Sequence, residues 1–136
     1  MPELAPLPRL GSLEREVMEV LWDSGAAMTT RAVLERLTTG LAYTTVATVL
    51  GNLVRKGMAE RVTAGRTWAY RHGPSRSEYC GGLMAETFSA TPDRAASFLH
   101  FVERMSPEDV DLLRSLLDDV PDVPDAPDDD ARAPRR

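Results

Sequence analysis

Apolar residues recur along this chain at a period near 3.6, then at a period of 2, then near 3.6 again. In the first stretch Ser12 is placed to cap a helix over 12–23, with Leu13, Val17, Val20, Leu21 and Trp22 at helical spacing and Glu14, Glu16 and Glu19 turned away. Gly25 stops it. Ala26-Ala27-Met28-Thr29 reads as a short extended link, and Thr30 is placed to cap a second helix whose apolar face is Val33, Leu34 and Leu37. Thr38-Thr39-Gly40 closes that helix. A third is predicted over 43–56, with Val46, Val49, Leu50, Leu53 and Val54 as its buried stripe. Arg55 and Lys56 suit the dipole of its last turn, and Gly57 ends it. The period changes next. Glu60-Arg61-Val62-Thr63 and Thr67-Trp68-Ala69-Tyr70-Arg71 read as two strands joined at Ala64-Gly65-Arg66. Trp22, Trp68 and Tyr70 are expected in the core.

Gly73-Pro74-Ser75 breaks the strand pattern, and three short helices follow. The first covers 77–89 with Leu83, Met84 and Phe88 apolar. The second covers 92–104 with Ala95, Phe98, Leu99 and Val102. The third opens at Ser106, with Pro107 at its first position, Asp109 where a capping-box acid would stand, and an apolar face of Val110, Leu113, Leu116 and Leu117. The expected class is mainly α with a small β-wing: a winged helix-turn-helix plus a C-terminal helical dimerisation region. The expected organisation is a flexible N-terminus over 1–9, the winged helix over 10–74, the dimerisation region over 75–120 and a disordered acidic tail over 121–136.

Charge changes the picture of what this fold would bind. The whole chain carries a formal −5, which taken alone argues against nucleic acid. Residues 40–76, however, hold six basic residues (Arg55, Lys56, Arg61, Arg66, Arg71 and Arg76) against the single acid Glu60. A basic stripe of this kind is the electrostatic footprint of a DNA-binding surface. In a winged helix the third helix enters the major groove. Its polar face carries Tyr43, Thr44, Thr45, Ala47 and Thr48, with Asn52, Arg55 and Lys56 further along. Threonine offers a hydroxyl for phosphates or base edges and a methyl for thymine. Arg66 at the wing tip is placed to reach a phosphate or the minor groove, flanked by Arg61 and Arg71. Ordinary polar faces and helix ends also carry such residues singly; the group carries the reading.

The helical end needs an explanation of its own. With 136 residues and 43% hydrophobic content, the chain has a modest core, and three short amphipathic helices cannot build a good one alone. Pairing them with a second copy through Leu83, Phe88, Phe98, Leu99, Val102, Val110, Leu113, Leu116 and Leu117 gives a two-fold homodimer. Two recognition helices would then read an inverted repeat in double-stranded DNA, with half-sites about one helical turn apart. The alternative is that these helices fold back on their own domain.

Enzyme chemistry finds little support. His72, His100 and the single cysteine Cys80 are scattered, with no nucleophile–base spacing and no metal-ligand cluster. His72 is expected in solvent at the end of the wing strand, His100 on a helix surface, and Cys80 as a small buried hydrophobe. No cofactor and no metal is expected. No stretch approaches the ~20 apolar residues of a membrane span and no signal-peptide core is present, so the expected location is cytoplasmic, with no membrane insertion. Two rivals to a DNA-binding repressor remain. A winged helix that senses a ligand or metal directly would leave DNA with its chain intact. One used for protein contacts would show no salt-dependent DNA affinity.

Three runs resemble a known family. They are Leu10-Gly11-Ser12-Leu13-Glu14 through Val17-Met18-Glu19-Val20-Leu21-Trp22; Tyr43-Thr44-Thr45-Val46-Ala47-Thr48-Val49-Leu50-Gly51-Asn52-Leu53 with Arg55-Lys56-Gly57; and His100-Phe101-Val102-Glu103 before a capped helix. Together they resemble the BlaI/MecI penicillinase repressors, over about residues 10–119. The resemblance implies a homodimeric repressor on a palindromic operator, near genes for β-lactam resistance or cell-envelope stress. It also implies release through a sensor-linked metalloprotease that cuts in the dimer helices, here between His100 and Phe101. Well-known members carry Asn where this chain has His100, and several carry basic residues where it has Thr44, Ala47 and Asn52. The resemblance therefore implies fewer phosphate contacts from the helix and more from the wing. The cysteine-rich metal motif of the copper-sensing branch is absent.

Overall fold

In a computed structural model, which describes residues 7–120, the first helix starts one residue earlier in its capping than the sequence suggests. Gly11, not Ser12, is the N-cap of α1 (Ser12–Ser24), and the Glu14 carboxylate reaches back 2.8 Å to the Gly11 N–H. Of the four residues expected as an extended link, the last two, Met28–Thr29, form a strand, β1. The extended backbone of Thr29 that β1 requires is also what an N-cap requires. Thr29 therefore, rather than Thr30, caps α2 (Thr30–Arg36), its hydroxyl accepting from Ala32 N–H at 3.1 Å.

α3 (Tyr43–Arg55) buries Val46, Val49, Leu50 and Leu53, while Val54 is half-buried. Its end is fixed by paired backbone bonds: Met58 N–H to Leu53 O at 2.9 Å and Gly57 N–H to Val54 O at 3.0 Å. This pairing needs a left-handed residue, and Gly57 supplies it at φ 81°. The chain then reverses into β2 (Ala59–Ala64) and β3 (Thr67–His72), paired antiparallel from Ala59 opposite His72 to Ala64 opposite Thr67. The loop is two residues, Gly65 at φ 68° followed by Arg66 with negative φ, so Arg66 stands at the tip. β1 adds to the other edge of β3, with Met28 opposite Tyr70, giving a three-stranded sheet in the order β1-β3-β2.

One core joins these elements: Val17, Met18, Leu21 and Trp22 of α1, Val33 of α2, the α3 stripe, Met58, Ala59, Tyr70 and Tyr79. The expectation for Trp68 is corrected. Only the base of the hairpin is covered, so Tyr70 is buried whereas Trp68, nearer the tip on the same strand face, is 46% exposed.

α4 (Arg76–Ser89) is capped by Ser75 and Glu78, which bond reciprocally at 3.0 and 2.7 Å. Packing places it with the first unit, whose division from the second falls after Ala90, whereas the expected functional organisation changes after residue 74. Trp22 Nε1 donates to Pro74 O at 3.0 Å, and the Trp22 and Tyr79 rings lie 5.9 Å apart. Residues 7–9 are also tied down. Leu7 N–H donates to Glu86, and the carbonyls of Pro8 and Arg9 accept from Tyr79 and Lys56.

The second unit holds α5 (Arg94–Glu103) and α6 (Pro107–Asp119). Asp93 caps α5, accepting from Ala96 N–H at 3.0 Å; Ser106 caps α6, accepting from Asp109 N–H at 3.1 Å. Neither helix buries a single residue. Phe98, Leu99, Phe101, Val102, Leu112, Leu116, Leu117 and Val120 are all exposed. The predicted acidic tail, 121–136, and residues 1–6 lie outside the described residues. Among the described residues no helix is long and apolar enough to cross a membrane.

Candidate nucleic-acid interface

The buried stripe of α3 fixes what its other face can offer. With Val46, Val49, Leu50 and Leu53 turned inward, Tyr43, Thr44, Thr45 and Thr48 are exposed together along the first turns, with Ala47 and Asn52 half-buried beside them. No acid stands in the first turn of α3. The predicted polar face is therefore assembled on one helix surface.

The basic stripe, by contrast, is partly spent inside the protein. Lys56 Nζ lies 2.8 Å from Glu14 Oε1 and 2.7 Å from the Arg9 carbonyl, and is more than half-buried. It fastens the end of α3 to the start of α1. The same bond holds the Glu14 carboxyl below its ordinary value of 4.5, helped by the Gly11 N–H and opposed by desolvation. Arg76 Nη2 joins Glu19 at 2.6 Å and Asp23 at 2.8 Å, tying α4 to α1. That pairing depresses the Glu19 carboxyl, and the carboxylates raise the Arg76 pKa. Arg71 pairs with Glu60 at 3.1 Å, both exposed. Arg55 is exposed and donates to Asn52 Oδ1 at 2.8 Å. Arg66 is exposed at the wing tip and has no ion pair among the described residues.

Two arginines are placed on aromatic rings, one of them, Arg31, not singled out by the sequence and the other, Arg61, in an arrangement the sequence does not show. Arg31 of α2 lies over the Tyr43 ring at 5.4 Å, though the two are twelve positions apart in sequence. Arg61 lies over the exposed Trp68 at 4.9 Å; the cross-strand register that joins them is visible only once the hairpin is closed.

The predicted dimer residues divide. Leu83 is half-buried against the first unit's own core, and Phe88 is half-buried. Phe98, Leu99, Val102, Leu116 and Leu117 are exposed, with Val110 and Leu113 intermediate. His100 is exposed on α5, its Nδ1 3.4 Å from Glu103, beside the exposed Phe101. His72 is half-buried at the end of β3 rather than fully in solvent, with its Nδ1 3.3 Å from the Gly73 carbonyl oxygen. Cys80 is half-buried on α4.

Three helices with a small antiparallel sheet, whose last two strands form a projecting hairpin, make the winged-helix fold of transcription regulators. The sequence pattern of the penicillinase repressors matches residues 10–119. The transcriptional regulator BlaI of Mycobacterium tuberculosis, in strains CDC 1551 and H37Rv, is 40% identical over 119 residues, spanning 84% of this chain and 86% of that protein. This chain belongs to the penicillinase repressor family, whose members regulate transcription and are not enzymes. Among solved structures it is similar to monomeric Bacillus licheniformis BlaI in complex with the blaP half-operator, with 29% identity, 54% of this chain and 92% of that one covered, and a TM-score of 0.46. It is also similar to an ArsR-like transcriptional regulator from Rhodococcus sp. RHA1, with 22% identity, coverage of 68% and 82%, and a TM-score of 0.48.

Proposed function

We propose that this chain is a transcriptional repressor that binds double-stranded DNA with α3 in the major groove and the β2–β3 wing on the flanking backbone. The observation that carries the reading is the acid-free first turn of α3, with Tyr43, Thr44, Thr45 and Thr48 exposed over a fully apolar buried stripe. Ala47, Asn52 and Arg55 extend that surface, and Arg66 meets the backbone or minor groove at the wing tip. Lys56 acts by holding the end of α3 in place through Glu14, not by touching DNA.

The repressor acts as a homodimer on an inverted repeat. Its second copy covers the apolar faces of α5 and α6, which a single chain leaves in water. Cutting between His100 and Phe101, by a protease coupled to a sensor, removes α6 with the end of α5 and so the linkage between the two DNA contacts.

The test is fluorescence anisotropy of the intact chain against a duplex from its own promoter and a scrambled duplex, at two salt concentrations. The promoter duplex is expected to bind ~10³-fold or more tighter, with affinity falling as salt rises. Equal, weak binding to both would overturn the reading.

A further inference from the structure

The recognition surface proposed above is short of cations from its own helix. Lys56 is engaged by Glu14 and Arg9, and Arg55 is the one remaining basic residue of α3. Two arginines from neighbouring elements stand in a different condition. Arg31, the second residue of α2, has its guanidinium 5.4 Å from the centroid of Tyr43, the first residue of α3. Arg61 of β2 has its guanidinium 4.9 Å from the centroid of Trp68 in β3. All four side chains are exposed. Among the described residues neither arginine has a carboxylate within ion-pair distance, unlike Arg15, Arg71 and Arg76.

Each of these guanidiniums lies within cation–π distance of a ring and is not spent on a carboxylate among the described residues, so N–H donors of its fork remain available to an oxyanion. The ring also limits the side chain's motion, so less freedom is lost when a ligand is bound. Two exposed aromatic residues, otherwise unfavourable in water, each gain a cation by this arrangement.

We propose that Arg31 and Arg61 are a two-armed phosphate clamp, one arm from the helix before α3 and the other from the wing after it, each guanidinium held on an aromatic ring. The proposal rests on the reading that α3 enters the major groove. In that docking the helix before the recognition helix crosses the backbone, which is where Arg31 is carried. The clamp supplies the backbone charge that Thr44, Ala47 and Asn52 do not. It orients α3 without reading sequence, because phosphates carry none.

The test is the salt dependence of binding by the full chain, measured by anisotropy on a promoter duplex and a scrambled duplex. Arg31→Ala and Arg61→Ala are each expected to lower the slope of log affinity against log salt by about 0.9, the release expected for one phosphate contact. Each should weaken both duplexes by the same factor. Arg36→Ala, on the same helix as Arg31 but with no ring beneath it among the described residues, is expected to keep the parental slope. Tyr43→Leu is expected to weaken binding while keeping the slope, since the charge stays and only its support is lost. Parental slopes in both Arg31→Ala and Arg61→Ala, beside a salt-sensitive parent, would overturn the clamp and leave the function standing. So would a loss confined to the promoter duplex. A parent whose affinity for either duplex ignores salt would remove the function and the clamp together.

Discussion

In the first unit the apolar stripes of α1, α2 and α3 meet one another; in the second, those of α5 and α6 bury no residue and are largely open to solvent. Leu50 and Leu53 are fully buried, whereas Leu116 and Leu117, also in a helix, are 53% and 63% exposed. The residue type and the element are the same, and only the cover differs. A helical period identifies a face but not what lies against it. The first unit supplies its own cover and ties it down with Lys56–Glu14, Arg76–Glu19 and Trp22–Pro74 bonds. The second has capped helices, hence defined ends, and no interior. The proposed second copy is what the second unit lacks.

Changes placed in one unit or the other sharpen this contrast. The largest effect is expected from Leu116→Asp. It should dissociate the dimer and lower affinity for an inverted-repeat duplex by about 10²–10⁴, the gain that linking two contacts provides. The first unit should still melt as before. Unchanged affinity and an unchanged sedimentation coefficient would remove α6 from the interface. Leu50→Ala is next, because it opens a cavity in a closed core. Urea denaturation should show a loss of about 2–5 kcal/mol. A near-neutral result would mean the first unit's core is looser than its burial indicates.

Smaller effects separate the ties from the core. Thr29→Ala removes the α2 cap and should cost about 1 kcal/mol in a denaturation series, whereas Thr30→Ser should keep the cap hydroxyl of Thr29 and cost less. Acid gives the smallest effect. Glu14 and Glu19 are both held below 4.5 in the folded chain, Glu14 chiefly by the Lys56 hydrogen bond and Glu19 chiefly by the one from Arg76. A carboxyl depressed on folding contributes stability above its unfolded value and loses it as pH falls through the folded one. Stability of the first unit should therefore decline below pH 4.5, and Glu14→Gln should flatten part of that decline. A parent and variant with identical acid profiles would deny the Lys56–Glu14 tie its role.

The periods of 3.6 and 2 are sufficient to locate the six helices and both wing strands among the described residues, and Gly57 and Ser106 mark boundaries. β1 was not legible, because two residues cannot establish an alternation, and Thr29 serves as strand and cap at once. Trp68 was misplaced because alternation assigns a strand face without saying how far along the strand the cover extends. The exposed face of α3 was legible from its buried stripe. The fate of its charges was not: Lys56 is claimed by Glu14, forty-two positions earlier, and Arg31 is carried to Tyr43 by the turn between α2 and α3. The proposed DNA surface draws on basic residues that the fold leaves without a carboxylate among the described residues.

Sedimentation velocity of the intact chain, alone and with a promoter duplex, tests most directly whether a second copy completes the second unit. Two chains in free solution at micromolar concentration, and two chains on each duplex, are the expected result. A single chain in both conditions, with full sequence-specific affinity, would contradict it.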